Sequence, residues 1–232
     1  NNKKSLYAGF MRNLFVGVWY GCVYYQQTDY HTLASVCYFS QQFICMSNLQ
    51  AIPQMFEERT LFYRERGAGF YSEASYLMAR VLVNATVQLW FVFAYSALCY
   101  FLVGLRGTWK DFLYFYAIMF GLSIAGYAFS NMIAALTPNQ QSAMNLYSAG
   151  FQFCMFFCGY SIPVDEVPDY WRWATEVSFA RYSFESLILN QFSGDDSTDA
   201  VYYMKYWGVY HVSKWRTMGY FFVSLACFHV LA

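Results

Sequence analysis

The chain has 232 residues, of which 58% are hydrophobic, 23% aromatic and only 12% charged, where an ordinary soluble domain carries about 25% charged residues. One soluble core cannot hide that much apolar surface, so a bilayer is the expected solvent for most of the chain. The formal net charge of zero gives no electrostatic footprint for nucleic acid.

A helix that crosses a bilayer needs about 20 mostly apolar residues, because about 1.5 Å of rise per residue must cover about 30 Å of hydrocarbon. Six stretches meet or approach that length, which predicts an all-α membrane protein. The first covers residues 6–25, with Arg12 near its inner end where it can snorkel. A polar turn at 26–31 leads to the second, 32–56, which has no formal charge but carries Gln41, Gln42, Asn48 and Gln50, and in which Pro53 should introduce a kink. Residues 57–80 then hold the densest run of charge between apolar stretches. Gly67 and Gly69 interrupt a helix there, and Ser72 followed by Glu73 reads as a cap that restarts one.

The third stretch covers 81–105. After a tight polar turn at 106–111, no charged residue occurs from Phe112 to Val164, too long a run for one crossing. Thr137-Pro138-Asn139-Gln140 divides it, since proline cannot continue a helix and disfavours helical geometry in the residue before it. The result is a fourth stretch at 112–136 and a fifth at 141–162. An external region follows at 163–215, where Pro168, Asp169, Tyr170, Trp171 and Trp173 predict a short amphipathic helix at the headgroup level. Arg181 to Asn190 repeats that pattern, 194–199 reads as a solvated loop, and the sixth stretch covers 216–232. With no signal peptide at the start and an apolar run at the end, the chain reads as a piece of a longer polypeptide.

Positive charge sets the orientation. Lys3, Lys4 and Arg12 precede or open the first stretch and Arg59, Arg64, Arg66 and Arg80 flank the charged run, against only Arg106 and Lys110 in the short turns opposite, which places both ends and the 57–80 segment in the cytoplasm. Asn84-Ala85-Thr86 matches a glycosylation sequon but lies on that same inner side, where it should stay unmodified.

Chemistry-bearing constellations are few. The seven cysteines, Cys22, Cys37, Cys45, Cys99, Cys154, Cys158 and Cys227, all fall in apolar stretches, as small buried hydrophobes do and a secreted disulfide framework does not. Cys154 and Cys158 share a helix face without a His or carboxylate to complete a metal site. His31, His211 and His229 stand apart from any nucleophile or carboxylate at fixed spacing, so no catalytic site is expected. No Gly-rich phosphate loop with Lys-Ser or Lys-Thr occurs. Gln41, Gln42, Asn48 and Gln50, with Gln141, Asn145 and Gln152 in the fifth stretch, are costly in hydrocarbon; they face either neighbouring helices as hydrogen-bond partners or a water-filled path.

Four strings in order carry a further signal: ERTLFYRERGAGFYS at 58–72, ALTPNQ at 135–140, FCGYSIP at 157–163, and VPDYWRW at 167–173 followed by NQFSGD at 190–195. Together they resemble the G subfamily of ABC transporters, particularly the full-size pleiotropic drug resistance type, over nearly the whole chain. The resemblance implies a six-span ABC-2 type exporter transmembrane domain with short external re-entrant helices. ATP and Mg would be bound in a nucleotide-binding domain outside this chain, a second six-span half would pair with it, and the substrate would be a small apolar or amphipathic molecule or lipid moved outward, most simply across the plasma membrane. It also implies roles for residues. Glu58, Arg59, Arg64, Glu65 and Arg66 become candidates for coupling to the ATPase domain, and Gln42, Phe43, Met46, Phe153, Phe157 and Tyr160 for a substrate cavity or gate. Glu176, Arg181 and Glu185 become candidates for an external cap. Tyr160 stands where half-size relatives carry a leucine that plugs the exit, and the external loop lacks the cysteines that those relatives bridge. Packing between helices is the competing role for Phe43, Met46 and Phe153, and surface solvation for the external charges. A non-transporting scaffold or a passive channel is the alternative for the chain as a whole.

Overall fold

The computed structural model describes residues 2–193, 197–210 and 212–231, and every regular element among them is helical. Residues 194–196 of the predicted solvated loop and His211 lie outside the described residues, as do the side chains of Lys3, Glu73, Cys227 and His229. Ten α-helices are seen: α1 (Asn2–Val23), α2 (Tyr30–Ser47), α3 (Ala51–Gly67), α4 (Glu73–Val103), α5 (Trp109–Leu136), α6 (Gln140–Phe156), α7 (Arg172–Val177), α8 (Phe179–Phe192), α9 (Thr198–Tyr206) and α10 (Lys214–Leu231). Of these, α4 and α5 are long and apolar enough, by length and composition, to cross a membrane.

The helix boundaries follow local chemistry. The Asp29 carboxylate accepts from the Thr32 backbone N–H at 2.9 Å and caps α2; the Ser72 hydroxyl accepts from the Ser75 N–H at 3.3 Å and caps α4. The helix α4 ends on Gly104 at φ 76°, a left-handed position that a Cβ would strain. Pro138 sits in the three-residue turn between α5 and α6, as its ring requires.

Two boundaries differ from the sequence expectation. The second apolar stretch is not one kinked helix. A 3-10 turn at Asn48–Gln50 separates α2 from α3, and Pro53 lies in the first turn of α3, where it has no helical N–H to lose. From there α3 runs on through the charged segment to Gly67, so the end of the second stretch and the charged segment share one helix. The fifth stretch is shorter than 141–162. α6 stops at Phe156, and a turn with Gly159 at φ 94° takes the chain sideways toward Pro163.

The long helices alternate in direction around α5. Gly9, Gly17 and Gly21 of α1 lie against Phe91, Leu98 and Leu102 of α4, so residue numbers rise together and the two helices run parallel. A Cβ at Gly9 would stand 2.9 Å from the Phe91 ring and one at Gly21 2.5 Å from Leu102, and Asn13 on the same face turns its amide back to the Gly9 carbonyl at 2.8 Å. Gly9, Asn13, Gly17 and Gly21 therefore form a stripe of small or inward-folded residues every fourth position, the pattern that lets two membrane helices approach closely.

Opposite them, Cys45 and Asn48 meet Leu122 and Gly126, and Tyr114 and Gly121 meet Lys214 and Phe221, so α2, α5 and α10 also run parallel to one another. Tyr116 reaches the Leu89 carbonyl while Phe112 stacks near Tyr100, which makes α4 and α5 antiparallel. Phe115, Ile118, Met119, Leu122, Ala125 and Ala128 of α5 are buried, and α5 packs on α2, α3, α4, α6, α8 and α10.

Candidate coupling and translocation sites

The charged segment is built from the second half of α3 and the start of α4. Here the α3 residues face their neighbours by one turn of helix spacing. Glu58 meets Arg80 of α4 at 3.4 Å and accepts from the Tyr76 hydroxyl at 3.3 Å. Glu65 accepts from the Tyr71 hydroxyl at 2.8 Å, and the rings of Phe62, Tyr71 and Tyr76 lie together, Phe62 to Tyr76 at 4.4 Å and Tyr71 to Tyr76 parallel at 5.6 Å. These contacts clasp the two helices on either side of Gly67 and Gly69.

Arg59 points the other way. Its guanidinium donates to the carbonyls of Ala134 and Thr137, the unsatisfied end of α5, and lies 4.1 Å from the Phe56 ring centre. A cation at a helix C-terminus also meets the negative end of the helix dipole. Arg64 and Arg66 lie exposed on α3. Of the five coupling candidates, then, Glu58 and Arg59 bind α3 to α4 and α5, Glu65 holds Tyr71 of the turn between α3 and α4, and Arg64 and Arg66 have exposed side chains.

The six cavity candidates fall into separate surroundings. Phe43 faces α1 and α4, with Tyr95 at 4.9 Å and Tyr20 at 6.5 Å. Gln42 and Met46 are half-buried on α2, Met46 against the main core. Phe153 and Phe157 stand 5.0 Å apart, one turn apart on the outer end of α6, and meet Trp171 at 5.9 and 5.5 Å. Trp173 joins Phe153 at 6.2 Å, giving a partly exposed aromatic group. Tyr160 lies just beyond, stacked on Tyr38 at 4.4 Å and sharing a hydroxyl hydrogen bond with Ser35 at 2.8 Å, with the Phe184 ring edge-on at 5.8 Å. Trp171 and Trp173 as partners of Phe153, and Ser35 and Tyr38 as partners of Tyr160, were missed. The only sequence signal was the i, i+4 pair of phenylalanines, Phe153 and Phe157, upstream of the Trp-x-Trp string at Trp171 and Trp173.

The polar residues of α2 and α6 divide. Gln41 is buried and accepts from the Ser183 hydroxyl at 2.6 Å, and Asn48 is buried at the α2–α3 junction. By contrast Gln141, Asn145 and Gln152, at i, i+4 and i+11, line one exposed face of α6, Gln141 donating to Asn145 at 3.3 Å.

Outside this face, α8 is seated in the bundle. The sequence predicted an interfacial helix at Arg181 to Asn190; instead Phe179, Phe184, Leu187, Ile188 and Phe192 are buried against α2, α5, α9 and α10. The reason is that its polar groups find partners inside. Asn190 donates to the Asp111 carbonyl at 3.0 Å, Gln191 accepts from the Arg106 N–H at 3.1 Å, and Ser183 holds Gln41. Arg181 bridges Glu176 at 2.7 Å and Glu185 at 2.8 Å. The two carboxylates on that guanidinium are shifted in opposite directions, because they differ in burial. Glu185, with 11% of its side chain exposed, is raised because burial outweighs the nearby charge. Glu176, with 64% exposed, also loses some hydration, but the Arg181 and Tyr182 hydrogen bonds outweigh this and lower it.

Among the described residues, no group of three or more His, Cys, Asp and Glu side chains is arranged to hold a metal ion. A family model described as ABC-2 type transporter matches residues 1–192. ABC transporter G family member 37 of Oryza sativa subsp. japonica is 30% identical over 198 residues, covering 82% of this chain and 14% of the relative. Pleiotropic drug resistance protein 2 of Nicotiana plumbaginifolia is 30% identical over 198 residues, covering 82% and 13%. ABC transporter G family member 2 of Dictyostelium discoideum is 26% identical over 188 residues, covering 79% and 14%. The chain spans about a seventh of the length of these curated relatives, 13–14% in each case.

Proposed function

Because this chain belongs to the ABC-2 type transporter family, we propose that it is one six-span half of an ATP-driven exporter that moves apolar or amphipathic small molecules or lipids outward across the plasma membrane. In this reading α1, α2 with α3, α4, α5, α6 and α10 are the six crossings, and α7 to α9 are external, with α8 re-entrant. The three-up, three-down alternation of these helices supports it, as does the clustering of Arg59, Arg64, Arg66 and Arg80 at the end where α3 turns into α4. ATP and Mg bind in a separate nucleotide-binding domain, which meets α3 through Arg64 and Arg66.

The observation that carries the reading is the exposed face of α6. Gln141, Asn145 and Gln152 cannot face hydrocarbon without cost, so a second half or a water-filled path must cover them. Phe153, Phe157 and Trp171 form an aromatic platform for flat apolar substrates at the far end of α6, turned about 100° round the helix from that polar face, and Tyr160, bonded to Ser35, closes its external end. Gln42 and Met46 flank it from α2, while Glu176, Arg181 and Glu185 brace the cap above it. A push on the outward charges of α3 reaches α4 through Glu58 and Arg80 and reaches α5 through Arg59, so a rigid tilt of the inner ends can open the outer ones.

The test uses the full-length protein in proteoliposomes, following ATP-dependent accumulation of a fluorescent amphiphile. Arg64→Glu should leave the protein inserted and hydrolysing ATP at its basal rate, while substrate stimulation and transport fall to background. Normal stimulation in that variant would remove α3 as the docking helix, and no ATP-dependent accumulation by the wild type would remove the exporter reading.

A further inference from the structure

At the inner ends of α1, α3, α4 and α5 the helices enclose a cavity of about 400 Å³, the size of a small-ligand pocket. It lies apart from the exposed face of α6. Arg12 of α1, Asn48 of the α2–α3 junction, Glu58 of α3, and Arg80 and Asn84 of α4 contribute polar groups to it, and Leu6, Val83, Val87 and Phe91 contribute apolar wall. Leu6 and Val83 are 42% and 67% exposed, so the apolar wall continues to the outer surface of the bundle.

The charges in this cavity do not cancel. Arg80 is paired with Glu58 at 3.4 Å, but Arg12 has no ion pair among the described residues, and its Nε is buried with no hydrogen-bond partner. Snorkelling, the sequence expectation for Arg12, is thus incomplete: part of the guanidinium is kept inside. Asn48 is in the complementary position. Its amide nitrogen donates to the Ile44 carbonyl at 3.2 Å, while its Oδ1 is buried and unpartnered. A half-buried cation with an orphaned Nε and a buried unpaired acceptor in one cavity are both costly unless something supplies an anion and a donor.

We propose that the cavity binds an anionic phosphodiester amphiphile whose headgroup also carries a hydroxyl or ammonium donor. The phosphate oxygens accept from Arg12, the headgroup donor reaches Asn48 Oδ1, and the alkyl chain lies along Leu6, Val83 and Val87. Such a molecule satisfies both orphaned groups at once, whereas a zwitterionic choline lipid has no net charge and no donor. The proposal rests on the membrane reading above but not on transport.

The experiment places the full-length protein in nanodiscs of phosphatidylcholine doped with phosphatidylglycerol, then measures by native mass spectrometry the lipid retained after transfer to detergent. The wild type should retain phosphatidylglycerol about tenfold over its share, the ratio expected of one charge-assisted contact. Arg12→Gln should fall to parity and Arg12→Lys should keep most of the preference. Asn48→Leu, which removes the acceptor for the headgroup donor and keeps the cation, should weaken retention of phosphatidylglycerol less than Arg12→Gln does. Unchanged enrichment in Arg12→Gln, or no enrichment in the wild type, overturns the proposal. Should Arg12→Gln not fold, Val87→Trp fills the cavity with Arg12 in place, and wild-type enrichment in that variant overturns it equally. Competition by soluble glycerophosphate upholds the oxyanion site with a cytosolic source; its failure, with enrichment intact, upholds a bilayer source. A protein that retains the lipid but transports nothing leaves this site standing and removes only the exporter reading.

Discussion

Where α3 turns into α4 the helices are joined by side chains that reach across an exposed gap, Glu58 to Arg80, Glu65 to Tyr71 and Arg59 to the end of α5, whereas where α8 is seated they are joined by a packed interior of Phe179, Phe184, Ile188 and Phe192. The first kind of joint fixes direction with little burial. The second fixes position by excluding water, at a cost for each enclosed polar atom left unpaired, as Asn190 Oδ1 and Trp207 Nε1 are. In the proposed exporter a lever would need the first kind of joint and a cap the second.

The contrast is easiest to break in the packed region. Phe184 is 1% exposed and touches Tyr160 and Trp207, so Phe184→Ala should cost about 3–5 kcal/mol, read as a large fall in the thermal unfolding midpoint of the detergent-solubilised protein. Phe62→Ala, which removes a half-buried ring from the Tyr71 and Tyr76 group, should lower the midpoint far less. Equal losses would show that both ends depend on burial in the same way.

Next in size is Arg59→Ala, which leaves the Ala134 and Thr137 carbonyls without their donor and should cost about 1.5–3 kcal/mol, the range for hydrogen bonds to a charged group. Arg59→Lys keeps the charge but not the two-pronged geometry and should recover part of it. If Arg59 is a joint rather than only a cap, ATPase activity in the full-length protein should also lose its response to substrate, in step with the loss of stability. A destabilised variant with an intact response would make Arg59 purely structural.

Much of this architecture was legible in the chain. Proline at 138, the glycines at 67 and 69 and the serine at 72 each act through local backbone sterics or a local hydrogen bond, so their consequences need no knowledge of the rest of the fold. The enclosure of α8 was not legible, because Arg181, Ser183, Glu185 and Asn190 look like a solvated face until Gln41, Glu176 and the α4–α5 turn are brought to them from elsewhere. The 3-10 break at Asn48–Gln50 was misplaced onto Pro53 for a related reason. Proline marks where a helix cannot continue behind it, and the chain resolved the conflict upstream. As for the candidate site, the family resemblance grouped Phe43 with Phe153, but helix rotation turns Phe43 toward Tyr95 and leaves Phe153 beside Trp171. The stripe of Gly9, Asn13, Gly17 and Gly21 was present at a fixed spacing and simply escaped notice among the apolar residues of α1.

A smaller effect sharpens the boundary between the two regions. The Tyr160 hydroxyl holds Ser35, and Tyr160→Phe removes that bond while keeping the stacking on Tyr38, so its stability cost should be about 0.5–1.5 kcal/mol. Tyr160→Ala removes both. As a gate, Tyr160 predicts that the alanine variant changes basal leak or substrate range in proteoliposomes, and that the phenylalanine variant changes them less; identical profiles for all three proteins would assign Tyr160 to packing alone.

The smallest effect concerns pH at the cap. The folded-state pKa of Glu185 is raised, so its contribution to stability is fully present below the ordinary glutamate range, about 4.3, and is lost as pH rises through the raised value. Glu176 has the opposite sign: its pKa is lowered, and its contribution is present above the ordinary range and lost as pH falls. Glu185→Gln keeps the shape and removes the first titration only. The variant should therefore gain on the wild type in unfolding midpoint as pH rises from about 4 to about 7. In Glu176→Gln the order reverses and the window lies lower, the variant losing ground as pH rises from the acid side up to about 4.3, because there the wild type gains an ionised partner for Arg181. Should both variants track the wild type at every pH, Arg181 would be sharing its charge with solvent rather than with the two carboxylates, and the external cap would be held by the aromatic and aliphatic packing of α8 alone.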